Sequence, residues 1–114
     1  MVRKSIPAIH DILATIARVE AKAAGKTLMD LESDWELRFI TERAIEIISE
    51  ASRRLPSELK ALRPDIRWRS IAGIGNVLRH EYHTTSAKVI WDVVQQELPL
   101  LKVAVEDIAK RLGT

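Results

Sequence analysis

Apolar residues stand at Ile9, Ile12, Leu13, Ile16, Val19 and Ala23. Intervals of three and four place them on one side of a helix, and Gly25 is a natural stop. "SDWE", Ser33 to Glu36, has the form of a capping box. In that arrangement the serine hydroxyl accepts from the amide three residues on, and the glutamate reaches back. Leu37, Ile40, Ala44, Ile47, Ile48, Ala51 and Leu55 then line a long second helix that Pro56 ends. "PSELKALRPD" reads as a connector with one helical turn, and a third helix begins near Asp65–Trp68. After an N-cap at Thr85 or Ser86 come Ile90, Val94, Leu98, Leu101, Val105, Ile108 and Leu112, a bundle seam. Pro99 falls inside that seam, removes a backbone donor and crowds the preceding turn. A kink or break is therefore expected near Gln96–Leu98. No strand-like alternation and no internal repeat occur. The pattern predicts an all-α, up-and-down bundle of four to five helices, one domain over residues 1–114.

Residues 70–83, "SIAGIGNVLRHEYH", break the helical monotony with two glycines, two histidines and the sole tyrosine. A phosphate loop needs a third glycine or a Gly-Lys-Ser/Thr ending after a strand, and "GIGNVL" has neither. A zinc-protease helix needs histidines four apart. "HEYHT" sets His80 and His83 three apart, and a third ligand would have to be His10 or a distant carboxylate. No metal site and no cofactor are expected. Two readings remain: a glycine-punctuated helix end, or an acid–base patch around a histidine, the side chain that titrates near neutrality.

Composition narrows the class. With 114 residues, 46% apolar and 30% charged, the chain has the make-up of one globular domain. No apolar run reaches the roughly 18 residues of a membrane span. "MVRKSIPAIHDILATIARVE" has Asp11 and helical periodicity where a signal peptide needs an uncharged block. The lack of cysteine removes disulfides and thiolate chemistry and fits a reducing cytoplasm. The net charge of +2 is unevenly spread. Between Arg53 and Arg79, seven basic residues face two acidic ones, a segment of +5, leaving −3 for the rest. A local basic patch suits a polyanion. Trp35, Trp68 and Trp91 are expected to be core or interface anchors.

"ITERAIEIISEASRRLP", "RPDIRWRSIAGIGNVLRHEYH" and "VIWDVVQQELPLLK" follow one another in the order of the HepT family. That family is a branch of the HEPN superfamily of small helical ribonucleases, and the chain resembles it over nearly its whole length. The family signature is Arg-Asn, three residues, His, one residue, Tyr. Position by position, His80 matches the catalytic histidine, Tyr82 the tyrosine and Asn76 the residue after the arginine, while Gly75 stands where the arginine is expected. The resemblance implies metal-independent cleavage of RNA by attack of the ribose 2′-hydroxyl, with His80 moving the proton. Arg69 and Arg79 are the RNA-binding candidates; a homodimer is expected, and its second subunit could supply either one to the cleft, although no spacing argument requires it. It also implies a minimal nucleotidyltransferase partner, an antitoxin that attaches AMP to Tyr82. The alternative is a HEPN-fold binding protein, impaired by Gly75, that still dimerises and binds the nucleotidyltransferase.

Overall fold

In the computed structural model, residues 2–81 and 86–114 are described, and among them every regular element is helical. A short 3-10 turn, Val2–Ser5, leads into α1, Ile6–Ala23. Pro7 sits in its first turn, where no backbone donor is needed. Ala8, Ile9, Ile12, Thr15, Ile16, Val19 and Ala23 form its buried face. Gly25 follows with φ 74°, the left-handed conformation that ends a helix cheaply only for glycine.

The next element, α2 (Leu28–Ser33), is absent from the periodicity reading because six residues show no period. It is built by its cap. Asp30 N donates to Thr27 Oγ1 at 3.2 Å, and Thr27 N donates to the Asp30 carboxylate at 2.8 Å. The Thr27 backbone N–H, then its hydroxyl, hold the Asp30 carboxyl below the usual carboxylate range. This short helix consumes Ser33, whose hydroxyl donates back to the Met29 carbonyl at 3.0 Å. The expected Ser33–Glu36 capping box is therefore displaced by one residue. Asp34 caps the next helix, accepting from Glu36 N at 3.1 Å and Leu37 N at 3.2 Å. A carboxylate is the stronger acceptor at the positive end of a helix.

The central element is α3, Trp35–Arg53, packed between α1 and a later helix, α5 (Trp68–Glu81). Its buried face runs through Leu37, Thr41, Ala44, Ile45, Ile48 and Ser52, so Ile45 is core and Ile40 faces solvent, a shift from the predicted seam. The connector holds the single turn α4, Ser57–Lys60. Trp68 Nε1 ties it down, donating to the carbonyls of Arg63 at 3.0 Å and Lys60 at 3.2 Å. The last run is α6 (Ala87–Asp92), a π-turn (Val93–Glu97) and α7 (Leu98–Arg111). Ser86 caps α6 through Val89 N. The discontinuity expected before Pro99 is this π-turn: Leu98 N–H bonds the Val93 carbonyl, five residues back. The extra residue moves backbone away from the proline ring, and the helical run continues.

One core joins all four long rods, with Ile9, Ile12, Ile16, Leu31, Ile45, Ile48, Ile90, Leu101 and Ile108 fully buried. Trp68 and Trp91 pack partly against it. Trp35 does not: it is 73% exposed, with the Phe39 ring edge-on beside it. No helix of the described residues is long and apolar enough to cross a membrane.

Candidate nucleic-acid interface

The site is built where α3 and α5 cross. Gly75 N donates to Ser49 Oγ at 3.2 Å, and the same hydroxyl donates to the Ala72 carbonyl at 2.8 Å. A Cβ on Gly75 would lie 2.7 Å from Ser49 Oγ and 2.9 Å from Ser49 Cβ. Only glycine permits this approach. Arg53 fixes the same stretch, donating Nε and Nη2 to the Ala72 carbonyl at 3.0 and 2.7 Å. Because Arg53 and Ser49 meet Ala72 while Ser49 and the Glu46 backbone meet Gly75, the two helices run antiparallel.

Leu78 is buried, and Ile71 and Ile74 pack against the core. The opposite side of α5 consequently faces solvent. Arg69, Gly73, Asn76 and His80 lie on that side, at intervals of four, three and four that keep them on one stripe. Arg69, Asn76 and His80 are exposed, and a methyl on Gly73 would meet nothing within 4 Å. One turn, about 6 Å, separates Asn76 from His80, and about 16 Å of helix separates Arg69 from His80. The helix ends at Glu81, one residue beyond His80. Tyr82 and His83 lie outside the described residues, as does the side chain of Arg79. His10 is exposed on α1. Among the described residues no three His, Cys, Asp or Glu side chains gather to hold a metal ion.

Beside this stripe, α3 and α5 enclose a groove of about 280 Å³ lined by Arg43, Glu46, Ile47, Ser49, Glu50, Arg54 and Gly75. Sequence reasoning named none of the α3 residues as site residues. The spacing of Arg43, Ile47, Glu50 and Arg54 marks them as a single helix face, and only the tertiary pairing shows what that face adjoins.

The basic stretch divides in two. Arg53 serves the α5 backbone, Arg54 pairs with Asp11 at 2.9 Å, and Arg63 pairs with Asp65 at 2.9 Å and Asp107 at 3.5 Å. The hydrogen bonds that Arg63 donates to the Asp65 carboxylate push the guanidinium above its ordinary value and hold the Asp65 carboxyl low in return. Arg67 and Arg69 point outward near the start of α5. An exposed imidazole, a carboxamide one turn away and the Arg69 guanidinium about 16 Å along the same stripe are groups of the kind that hold a phosphate backbone and move a proton beside it.

The family model described as Ribonuclease HepT-like matches residues 12–108. The chain belongs to the HepT-like ribonuclease family. Among its HepT-like relatives, a Thermococcus cleftensis protein named "Probable ribonuclease HepT" is 33% identical over 102 residues, covering 90% of this chain and 93% of that one. "Putative RNase TTE0752" of Caldanaerobacter subterraneus subsp. tengcongensis is 30% identical over 105 residues, covering 92% and 94%. No solved structure matches the chain. In this HepT-like protein, position 75 is a packing position, where a side chain would have to displace Ser49.

Proposed function

We propose that this HepT-like protein, acting as a single domain over residues 1–114, is an endoribonuclease that cleaves RNA without a metal. The ribose 2′-oxygen attacks the adjacent phosphorus, a P–O2′ bond forms and the P–O5′ bond breaks. His80 takes the 2′-hydroxyl proton and returns a proton to the departing 5′-oxygen. Asn76 donates its amide to a non-bridging phosphate oxygen. Arg69 and Arg79 hold flanking phosphates. The observation that carries this reading is the exposure of His80 and Asn76, one turn apart, on the free side of a helix pinned by Ser49 and Arg53. The protein acts in the cytoplasm as a homodimer and toxin. A minimal nucleotidyltransferase acts as its antitoxin, placing AMP on Tyr82 and so adding negative charge and bulk two residues from His80.

A second reading is favoured by one feature, the packing of Gly75 against Ser49. In that reading the chain is a HEPN-fold binding protein, without catalysis, that dimerises and binds the nucleotidyltransferase. Unstructured RNA incubated in EDTA with wild type and His80→Ala separates the two. Cleavage that falls by roughly 10²–10⁴-fold in the variant supports the enzyme. Equal cleavage by both removes His80 from the chemistry, and none by wild type leaves the binding protein. Tyr82 is tested by mass: incubation with the nucleotidyltransferase and ATP adds one AMP to wild type and none to Tyr82→Phe.

A further inference from the structure

A phosphorane needs a cation beside the imidazole, and position 75 cannot supply one. The guanidinium groups of this face are separable by what they already do. Arg53 is engaged by the Ala72 carbonyl, and Arg54 by Asp11. Arg69 lies about 16 Å along the axis from His80, a distance of two or more nucleotides rather than one phosphate. Arg43 differs from these. It lines the α3–α5 groove together with Gly75, its side chain is 69% exposed, and among the described residues its ion pair is a long contact to Glu46 at 3.7 Å.

The helix register brings it level with His80. Ser49 faces Gly75 across the crossing. From that point Arg43 is six residues toward the start of α3, and His80 is five toward the end of α5. Since the helices are antiparallel, both steps go the same way, about 9 Å and about 7.5 Å. The two residues therefore stand within about 2 Å of each other along the helix axes, Arg43 lining the groove and His80 on the exposed stripe beside it.

We infer that Arg43 grips the phosphate on which His80 acts, supplying from α3 the positive charge that the family motif carries on α5. This rests on the nuclease reading for its catalytic part and on groove geometry alone for its binding part. Arginine suits the task because its planar fork matches two phosphate oxygens at once. The Glu46 contact is long and engages only one nitrogen of the fork, Nη1 at 3.7 Å.

The test uses the full chain and its Arg43→Gln, Arg43→Lys and Lys22→Gln variants. Lys22 is an exposed cation on α1, and its loss controls for net charge. Two readouts are taken: cleavage of unstructured RNA in EDTA, and binding of the same RNA carrying a 2′-deoxy sugar at the scissile position, across a salt series. Expected results are a cleavage rate roughly 10²–10³-fold lower in Arg43→Gln, partial retention in Arg43→Lys and no change in Lys22→Gln. The salt slope for the uncleavable RNA should fall by about one in Arg43→Gln. The rate losses of Arg43→Gln and His80→Ala should combine less than multiplicatively, since both act on one phosphate. Unchanged cleavage in Arg43→Gln overturns the inference. If wild type cuts nothing, the nuclease reading fails by itself and the binding arm decides: a lower slope in Arg43→Gln supports the contact, and an unchanged slope overturns it.

Discussion

Gly73 and Gly75 are two residues apart on α5 and so face about 200° apart. An added methyl meets open space at Gly73 and the Ser49 hydroxymethyl group at Gly75. Gly73→Ala should therefore gain roughly 0.5–1 kcal/mol, the ordinary benefit of alanine over glycine inside a helix. Gly75→Ala has the same backbone gain but is overpacked, at a cost of roughly 1–3 kcal/mol. Its net effect should be a loss on the order of 1 kcal/mol. Ser49→Gly in the Gly75→Ala background should recover part of that loss. Urea midpoints of the four proteins check the argument, and a Gly75→Ala chain as stable as Gly73→Ala would refute it. Restoring the family arginine by Gly75→Arg alone drives a side chain into Ser49, so inactivity of that variant is uninformative. The motif comparison identified position 75 by its missing charge. What the glycine does was not legible, because that depends on a residue 26 positions earlier on another helix.

Helices α1 and α3 and the run from α6 through α7 were legible because each repeats its apolar spacing over four or more turns, enough to outweigh single exceptions such as Ile40. The short ones were not. Helix α2 has a single buried residue, Leu31, and its only sequence mark is Thr27 with Asp30 three residues later. Missing it moved the next cap from Asp34 to Ser33. The correction is measurable: Asp34→Ala should cost about 1 kcal/mol, the usual value of a helix cap, while Ser33→Ala should change the urea midpoint little. Equal effects would return the cap to Ser33. The cap of α2 should also respond to acid. The Asp30 carboxyl is held low in the folded chain, so its contribution is present above the ordinary carboxylate range. That contribution is lost as pH falls through the folded value. Between pH 5 and about 3, the urea midpoint of wild type should drop more steeply than that of Asp30→Asn, with parallel curves counting against the cap. The π-turn shows the same divide between pattern and geometry. Pro99 announced a discontinuity, but whether the chain kinks, breaks or widens by one residue depends on the core holding Val94, Leu98 and Leu101 in place.

For the whole molecule, the uneven charge was visible in the sequence and its use was not. Seven basic residues between Arg53 and Arg79 suggested one polyanion-binding patch. Folding assigns Arg53, Arg54 and Arg63 to partners that hold α5, α1 and α7 to their neighbours, while Arg67 and Arg69 remain directed at solvent. A count of charges cannot make this division, because the partners Asp11 and Asp107 lie far away in the chain. The two groups should separate in one experiment on RNA binding against salt. Each phosphate neutralised by a cation contributes close to one unit to the slope of log affinity against log salt. Arg69→Ala should weaken RNA binding evenly across sequences and lower that slope by about one, with an unchanged denaturation midpoint. Arg63→Ala should do the reverse, keeping the slope of the folded protein and lowering the midpoint, because it leaves Asp65 and Asp107 without their shared partner. If Arg63→Ala lowered the slope and Arg69→Ala did not, the RNA face would lie near the α4–α7 edge rather than along α5, and the stripe through Asn76 and His80 would lose its claim to be the binding surface.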